Sequence, residues 1–183
     1  MDVSDAALIQ RSRSGDLTAF DALMTRYQGL VFTVAYACAR DRDDALDISQ
    51  NAFMKAFEHL DSLRDEASFR SWIARIARRE GIDWARRNRH RRQFVDPEEV
   101  HLPDAAPSQE ARLLSDECGR RLAARLDRLN RRYRVTVSLR YVEGMSIAEI
   151  AAVLRCSEAM VKNMLFRSLR RLRQELTEAR QVP

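Results

Sequence analysis

LNRRYRVTVSLRYVEGMSIAEIAAVLRCSEAMVKNMLFRSLRRLR, residues 129–173, reads as a helix-turn-helix whose second helix is crowded with arginine. Ser146 and Glu149 have the spacing of a capping box. The hydroxyl accepts from an exposed amide at the helix start while the carboxylate reaches back to the Ser146 amide. Ile147, Ile150, Ala151 and Leu154 form the apolar stripe of that helix, and Arg155-Cys156-Ser157 is long enough only for a turn. Ser157 and Glu158 restart a helix with a cap and an acid matched to the helix dipole. Along this second helix Val161, Leu165, Leu169 and Leu172 fall in one arc at about 100° per residue. Lys162, Asn163, Phe166, Arg167, Arg170 and Arg173 take the other side. A helix of this kind fits the roughly 12 Å major groove, where cations meet phosphate and Asn or Arg can bond base edges. A single charged helix is usually a solvated face; the capped helix and short turn before it favour nucleic acid.

The chain has 183 residues, 45% of them hydrophobic, with a net charge of +5. That is room for two small domains, and the charge is partitioned between them. From Arg75 to Arg92 eight arginines face Glu80 and Asp83, and from Arg155 to Arg173 six cations face Glu158. Between these basic stretches, Gln93 to Glu117 carries seven acids against Arg112 and holds Pro97, Pro103 and Pro107. That composition is a linker's. The boundaries expected are a first domain over 1–92, a linker over 93–112 and a helix-turn-helix domain over 113–178.

Cys38, Cys118 and Cys156 are isolated, and His59, His90 and His101 are scattered. No disulfide framework, zinc site or catalytic constellation is indicated, so neither a metal nor a cofactor is expected. There is no signal-peptide core and no apolar run of membrane-spanning length, which places the protein in the cytoplasm without membrane insertion.

The first domain reads as wholly helical. A helix from Asp5 to Ser14 stops at Gly15, and Asp16 restarts one with Leu17, Phe20, Leu23 and Met24 as buried candidates. From Asp43 to Leu60, Leu46, Phe53, Phe57 and Leu60 make the inward stripe, with Asp44, Asp47, Ile48, Asn51 and Glu58 facing out. Residues 41–66 hold eight acids against three cations, which repels DNA and suits a protein partner. From Phe69 onward, Phe69, Ile73, Ile76 and Trp84 share one face and Arg75, Arg78, Arg86 and Arg89 the other, with Trp72 at the border. An aromatic beside guanidinium groups suits unpaired bases, although Trp72 also suits a core.

Taken together, GDLTAFDALMTRY, DRDDALDISQNAFMKAFEHL and FRSWIARIARREGIDWARRNRHRR, followed by the 129–173 segment, resemble the extracytoplasmic-function class of bacterial sigma factors over Asp5 to Leu176. The resemblance implies an all-α fold of two small helical domains on a flexible linker. It implies a specificity subunit that binds core RNA polymerase and promoter DNA, with an anti-sigma protein as a further partner, and not an enzyme. By that likeness Asp44, Asp47, Ile48, Gln50 and Asn51 dock on the polymerase. The loop Asp61 to Ser68 with Phe69 captures an extruded minus-ten base, and Trp72, Arg75, Arg79, Asp83 and Arg86 follow on the adjoining helix. Lys162, Asn163, Phe166 and Arg167 read the minus-thirty-five element while Arg170 and Arg171 favour phosphates.

The chain departs from the family's pattern at several positions. Arg79 stands where Asn is usual, Arg155 replaces the usual turn Gly at a left-handed backbone cost, and Ala159, Met160 and Met164 replace Gly, Thr and Arg. Met160 and Met164 are expected to touch a protein or thymine methyls. A free-standing regulator would share the helix-turn-helix but have no need of the acidic helix. A nucleic-acid-processing enzyme would need a metal or acid–base cluster.

Overall fold

The computed structural model describes residues 3–88, 126 and 128–178, with side chains to Gln174. Among the described residues every regular element is helical. The first group is α1 (Asp5–Arg13), α2 (Leu17–Ala39), α3 (Arg42–Glu58) and α4 (Phe69–Arg87), with two 3-10 turns, Leu60–Ser62 and Glu66–Ser68, between α3 and α4. The second is α5 (Arg131–Tyr141), α6 (Ile147–Leu154) and α7 (Glu158–Glu178). The expected linker over 93–112, together with Arg89 and Cys118, lies outside the described residues.

Local chemistry sets the helix ends. Gly15 takes φ +92°, a left-handed conformation that closes α1, and Asp16 then caps α2 by accepting from the Thr18 and Ala19 amides. Asp41 accepts from the Asp44 amide to start α3, whose first turn carries Asp43 and Asp44 against the positive end of the dipole. The capping box at Ser146 is complete, each partner bonding the other's backbone amide. Arg155 takes φ 50°, ψ 57°, so the turn is built in the left-handed form despite the side chain.

In the first group α2 runs through the middle, packed by α1, α3 and α4. Leu17 is exposed, contrary to its expected burial, because it stands at the first helical position while Phe20 and Leu23 turn inward. Gly81 lets α4 approach α2 closely: a Cβ there would sit 2.6 Å from the Cβ of Cys38. The two groups do not stand apart. Helix α5 packs on α2 and α6 on α4, so Leu23, Ile73, Val135, Ile150 and Val161 belong to one continuous buried cluster.

Candidate polymerase and nucleic-acid interfaces

On α3 the buried residues are Ala45, Ile48, Ser49, Ala52, Phe53 and Ala56. The buried arc is therefore rotated by about a quarter turn from the expected stripe. Leu46 and Phe57 are exposed instead of inward, and Ile48, expected on the docking face, is 1% exposed and packs with Ala35, Ala39, Phe32, Tyr36 and Trp84. The physical reason is that small residues at 45, 49, 52 and 56 let α3 lie close on its neighbours, with Ile48 and Phe53 buried beside them and Leu46 and Phe57 left to the outside. Asp47, Gln50 and Asn51 are exposed, and Asp44 is half-buried near the capped end. The outer face thus combines those polar groups with exposed Leu46, Met54 and Phe57, the last resting edge-on against Phe20 at 5.0 Å.

The loop before α4 is pinned from α1. Arg13 donates to the Leu60 carbonyl at 3.2 Å and pairs with Glu66 at 3.2 Å. The Ser68 hydroxyl donates to the Asp65 carbonyl at 2.6 Å, so it closes a 3-10 turn. Phe69 is 1% exposed, its ring against Tyr27 at 5.1 Å and Trp72 at 5.7 Å, and Trp72 is itself buried. Both rings lie where the apolar side of the helix sets them: the aromatics fill the angle between α2 and α4, and in this form neither ring is presented as a platform for a base. The polar side of α4 is presented. Arg79 and Arg86 are exposed, Arg75 is half-buried, and Asp83 accepts from Arg86 at 3.0 Å. Buried Glu80 holds Lys55 of α3 at 2.6 Å, an ion pair that ties α4 to α3.

On α7 Lys162, Asn163, Phe166, Arg167, Arg170 and Arg171 are all exposed, and Val161, Met164, Leu165, Ser168 and Leu172 are buried. Ser157 caps the helix by accepting from the Met160 amide at 3.3 Å. Leu169 is exposed, contrary to its expected burial, because the packed seam runs through Met164 and Ser168. Met164 is buried as well, and cannot touch DNA or a partner; only Met160 stays exposed, with Arg132 against its sulfur.

The particular contacts of the seam between the two groups were not foreseen from the residues. Arg134 of α5 is buried, its Nε donating to the Ala37 carbonyl of α2 at 2.7 Å and its Nη1 to the Leu129 carbonyl at 2.9 Å. The Thr33 hydroxyl donates to Glu143 at 2.7 Å, and Arg70 of α4 donates to the Glu143 carbonyl and meets Glu149 at 3.5 Å. Burial works to raise the Glu149 carboxyl, but hydrogen bonds from Ser146 and the Arg70 guanidinium outweigh it and hold it below the usual range. The only advance signal was Arg134 itself, an arginine ahead of Val135, Val137 and Leu139 in α5.

Family models give the same partition. Sigma-70 region 2 matches residues 23–91 and Sigma-70 region 4 matches residues 119–172. The RNA polymerase sigma-H factor of Pseudomonas aeruginosa is 30% identical over 90% of this chain and 89% of its own length. The chain belongs to the sigma-70 family. Within it the sigma factor falls in the extracytoplasmic-function class: the ECF RNA polymerase sigma-E factor of Escherichia coli is 29% identical, with 91% of each chain covered. CnrH, solved in complex with the cytosolic domain of CnrY, superposes with a TM-score of 0.70 at 26% identity, covering 95% of this chain and 97% of that one. RpoE of Bartonella quintana, solved with the anti-sigma factor NepR, shares the fold at a TM-score of 0.68 and 22% identity, over 86% and 96% of the two chains.

The protein is therefore an alternative sigma factor, a promoter-specific initiation factor that works with core RNA polymerase on promoter DNA, and not an enzyme. Among the described residues no helix is long and apolar enough to cross a membrane.

Proposed function

We propose a division of labour among three helices of this sigma factor. The outer face of α3, through Asp44, Asp47, Gln50 and Asn51 together with Leu46 and Met54, docks on core polymerase. Arg75, Arg79 and Arg86 of α4 hold the displaced minus-ten strand, with Asp83 orienting Arg86. Lys162, Asn163, Phe166 and Arg167 of α7 read the minus-thirty-five element while Arg170 and Arg171 anchor phosphates. Residues 1–92 and 113–178 act as the two functional domains and 93–112 as the linker between them, working in the cytoplasm.

The observation that carries this reading is the partition of charge: an acidic and apolar face on α3, and separate arginine-rich exposed faces on α4 and α7. An acidic rod repels DNA and an arginine-rich one attracts it. The closed packing of the two groups is the form we assign to an inhibited state held by an anti-sigma protein. CnrH, of similar fold, was likewise solved with a protein bound to it, the cytosolic domain of CnrY, which agrees with a form held by a protein partner. Run-off transcription with core polymerase over a genomic promoter library tests the division. Initiation from a discrete promoter set, reduced by Asn51→Ala and by Arg167→Ala, is the expected result; initiation indifferent to both changes would refute the assigned roles.

A further inference from the structure

We propose that the cleft between α4 and the start of α5 binds a small polyphosphate-bearing ligand, and that its occupancy holds the two halves of the sigma factor together. The cleft measures about 370 Å³ and is lined by Arg78 from α4 and by Arg131 and Arg132 from the first turn of α5, with Cys38, Ile82 and Val135 in its walls. That volume lies within the ordinary range of small-ligand sites.

Elsewhere the seam is complementary. Arg70 meets Glu149, Thr33 meets Glu143, and Arg134 meets the Ala37 carbonyl. In the cleft three arginines share the lining, the charges of Arg131 and Arg132 reach Arg78, and among the described residues none of the three has a carboxylate partner. Arg132 finds only the thioether of Met160, at 3.3 Å. Burial, and after it the charges of Arg132 and Arg131, push the Arg78 guanidinium below its ordinary value. Burial also drives the Cys38 thiol up to about 11, so it stays neutral and supplies no compensating anion.

Like charges gathered in a half-buried cleft oppose closure, and an anion seated among them reverses that sign. Arginine forks bond phosphate oxygens in pairs, and three of them suit a chain of phosphates better than a single one. The three come from both halves, so the complete site exists only in the closed form. A ligand with that differential affinity shifts the population toward closure. It also competes for Arg78, which borders the face assigned to the displaced strand.

The test is calorimetric titration of the full chain with inorganic tripolyphosphate, paired with small-angle scattering. A nucleoside triphosphate, a tetranucleotide and sodium sulfate at matched ionic strength run in parallel. Expected is saturable binding of one ligand per chain without expansion, weakened about tenfold by Arg131→Gln with Arg132→Gln and unchanged by Arg64→Gln. Equal affinity for tripolyphosphate and the nucleoside triphosphate would place recognition in the phosphates alone, and tighter nucleotide binding would add a base contact; both support the site. A response no greater than that of sulfate, or one unchanged in the double variant, would overturn it. So would tetranucleotide binding of equal strength that expands the chain, since the arginines would then belong to the strand. Circular dichroism of the variants separates lost binding from lost folding.

Discussion

The guanidinium of Arg134 and the carbonyl of Ala37 meet at 2.7 Å across the seam between the two halves of the sigma factor. Ala37 lies in the last turn of α2, where carbonyls have no helical partner, and the Arg40 amide closes only the bond to Tyr36. An arginine of the second half thus completes the end of a helix in the first. Replacing it by Met leaves that buried carbonyl unsatisfied and costs about 1.5–3 kcal/mol of closure. Scattering should give a larger radius of gyration for Arg134→Met with helical content retained. An unchanged radius would mean the apolar contacts suffice alone.

Burial of Phe69 and exposure of Arg79 separate two effects that a base-capturing role for Phe69 would merge. Phe69→Ala opens a cavity in the core and should cost about 3–5 kcal/mol in denaturant unfolding. Arg75→Ala with Arg79→Ala should leave that stability within error and weaken single-stranded minus-ten DNA in a gel shift. Full stability in Phe69→Ala would place the ring outside the core.

Gly81 is held by contact with Cys38. Its replacement by Ala brings a methyl within 2.6 Å of the Cys38 Cβ and 2.8 Å of its sulfur. Overpacking of this kind costs about 1–3 kcal/mol, more than the ~1 kcal/mol that alanine gains in a helix. The thermal midpoint of Gly81→Ala should fall by a few degrees; a rise would show that α2 and α4 can part without cost.

Arg155 occupies a left-handed turn at φ 50°. Arg155→Gly should raise stability by about 0.5–1 kcal/mol, measured by urea unfolding, because glycine adopts that conformation without a Cβ penalty. A loss would mean the arginine side chain contributes more than its backbone costs.

Acid should find the cap of α2. The Thr18 hydroxyl and the Arg11 guanidinium hold the Asp16 carboxyl down from its ordinary 3.8 to about 2. A depressed folded-state value contributes stability above the ordinary one and loses it as pH falls through the folded one. Thermal midpoints of the wild type should therefore drop between pH 3.8 and about 2 more steeply than those of Asp16→Asn. Parallel curves would remove Asp16 from the account.

Much of this was legible in the residues. Ser146 with Glu149, Asp16 after Gly15, and the turn at Arg155 are local signals, decided within four residues, and all three stand as read. The exposed face of α7 followed from its charge. The face of α3 was legible only in part: Phe53 is inward as expected, but most of the packing surface is Ala45, Ser49, Ala52 and Ala56, with Ile48 among them, which a search for bulky apolar residues passes over. Close helix approach selects small side chains, and a count of large ones points elsewhere. Phe69 was placed inward by periodicity, and its assignment to a base came from family likeness. The seam was illegible for a different reason. Arg70, Arg134 and Glu143 look like ordinary surface charges until two segments far apart in sequence are brought together.

We propose that the acidic, partly apolar α3 grips core polymerase while the arginine-rich helices remain for DNA. This is tested most directly by titrating the purified full chain, at low ionic strength and without an antagonist, against core RNA polymerase lacking its own initiation subunit. Saturable association, weakened about tenfold or more by Asp47→Lys with Asn51→Lys and unaffected by Arg167→Ala, is the predicted result. No association under those conditions, or association indifferent to the α3 changes, would contradict it.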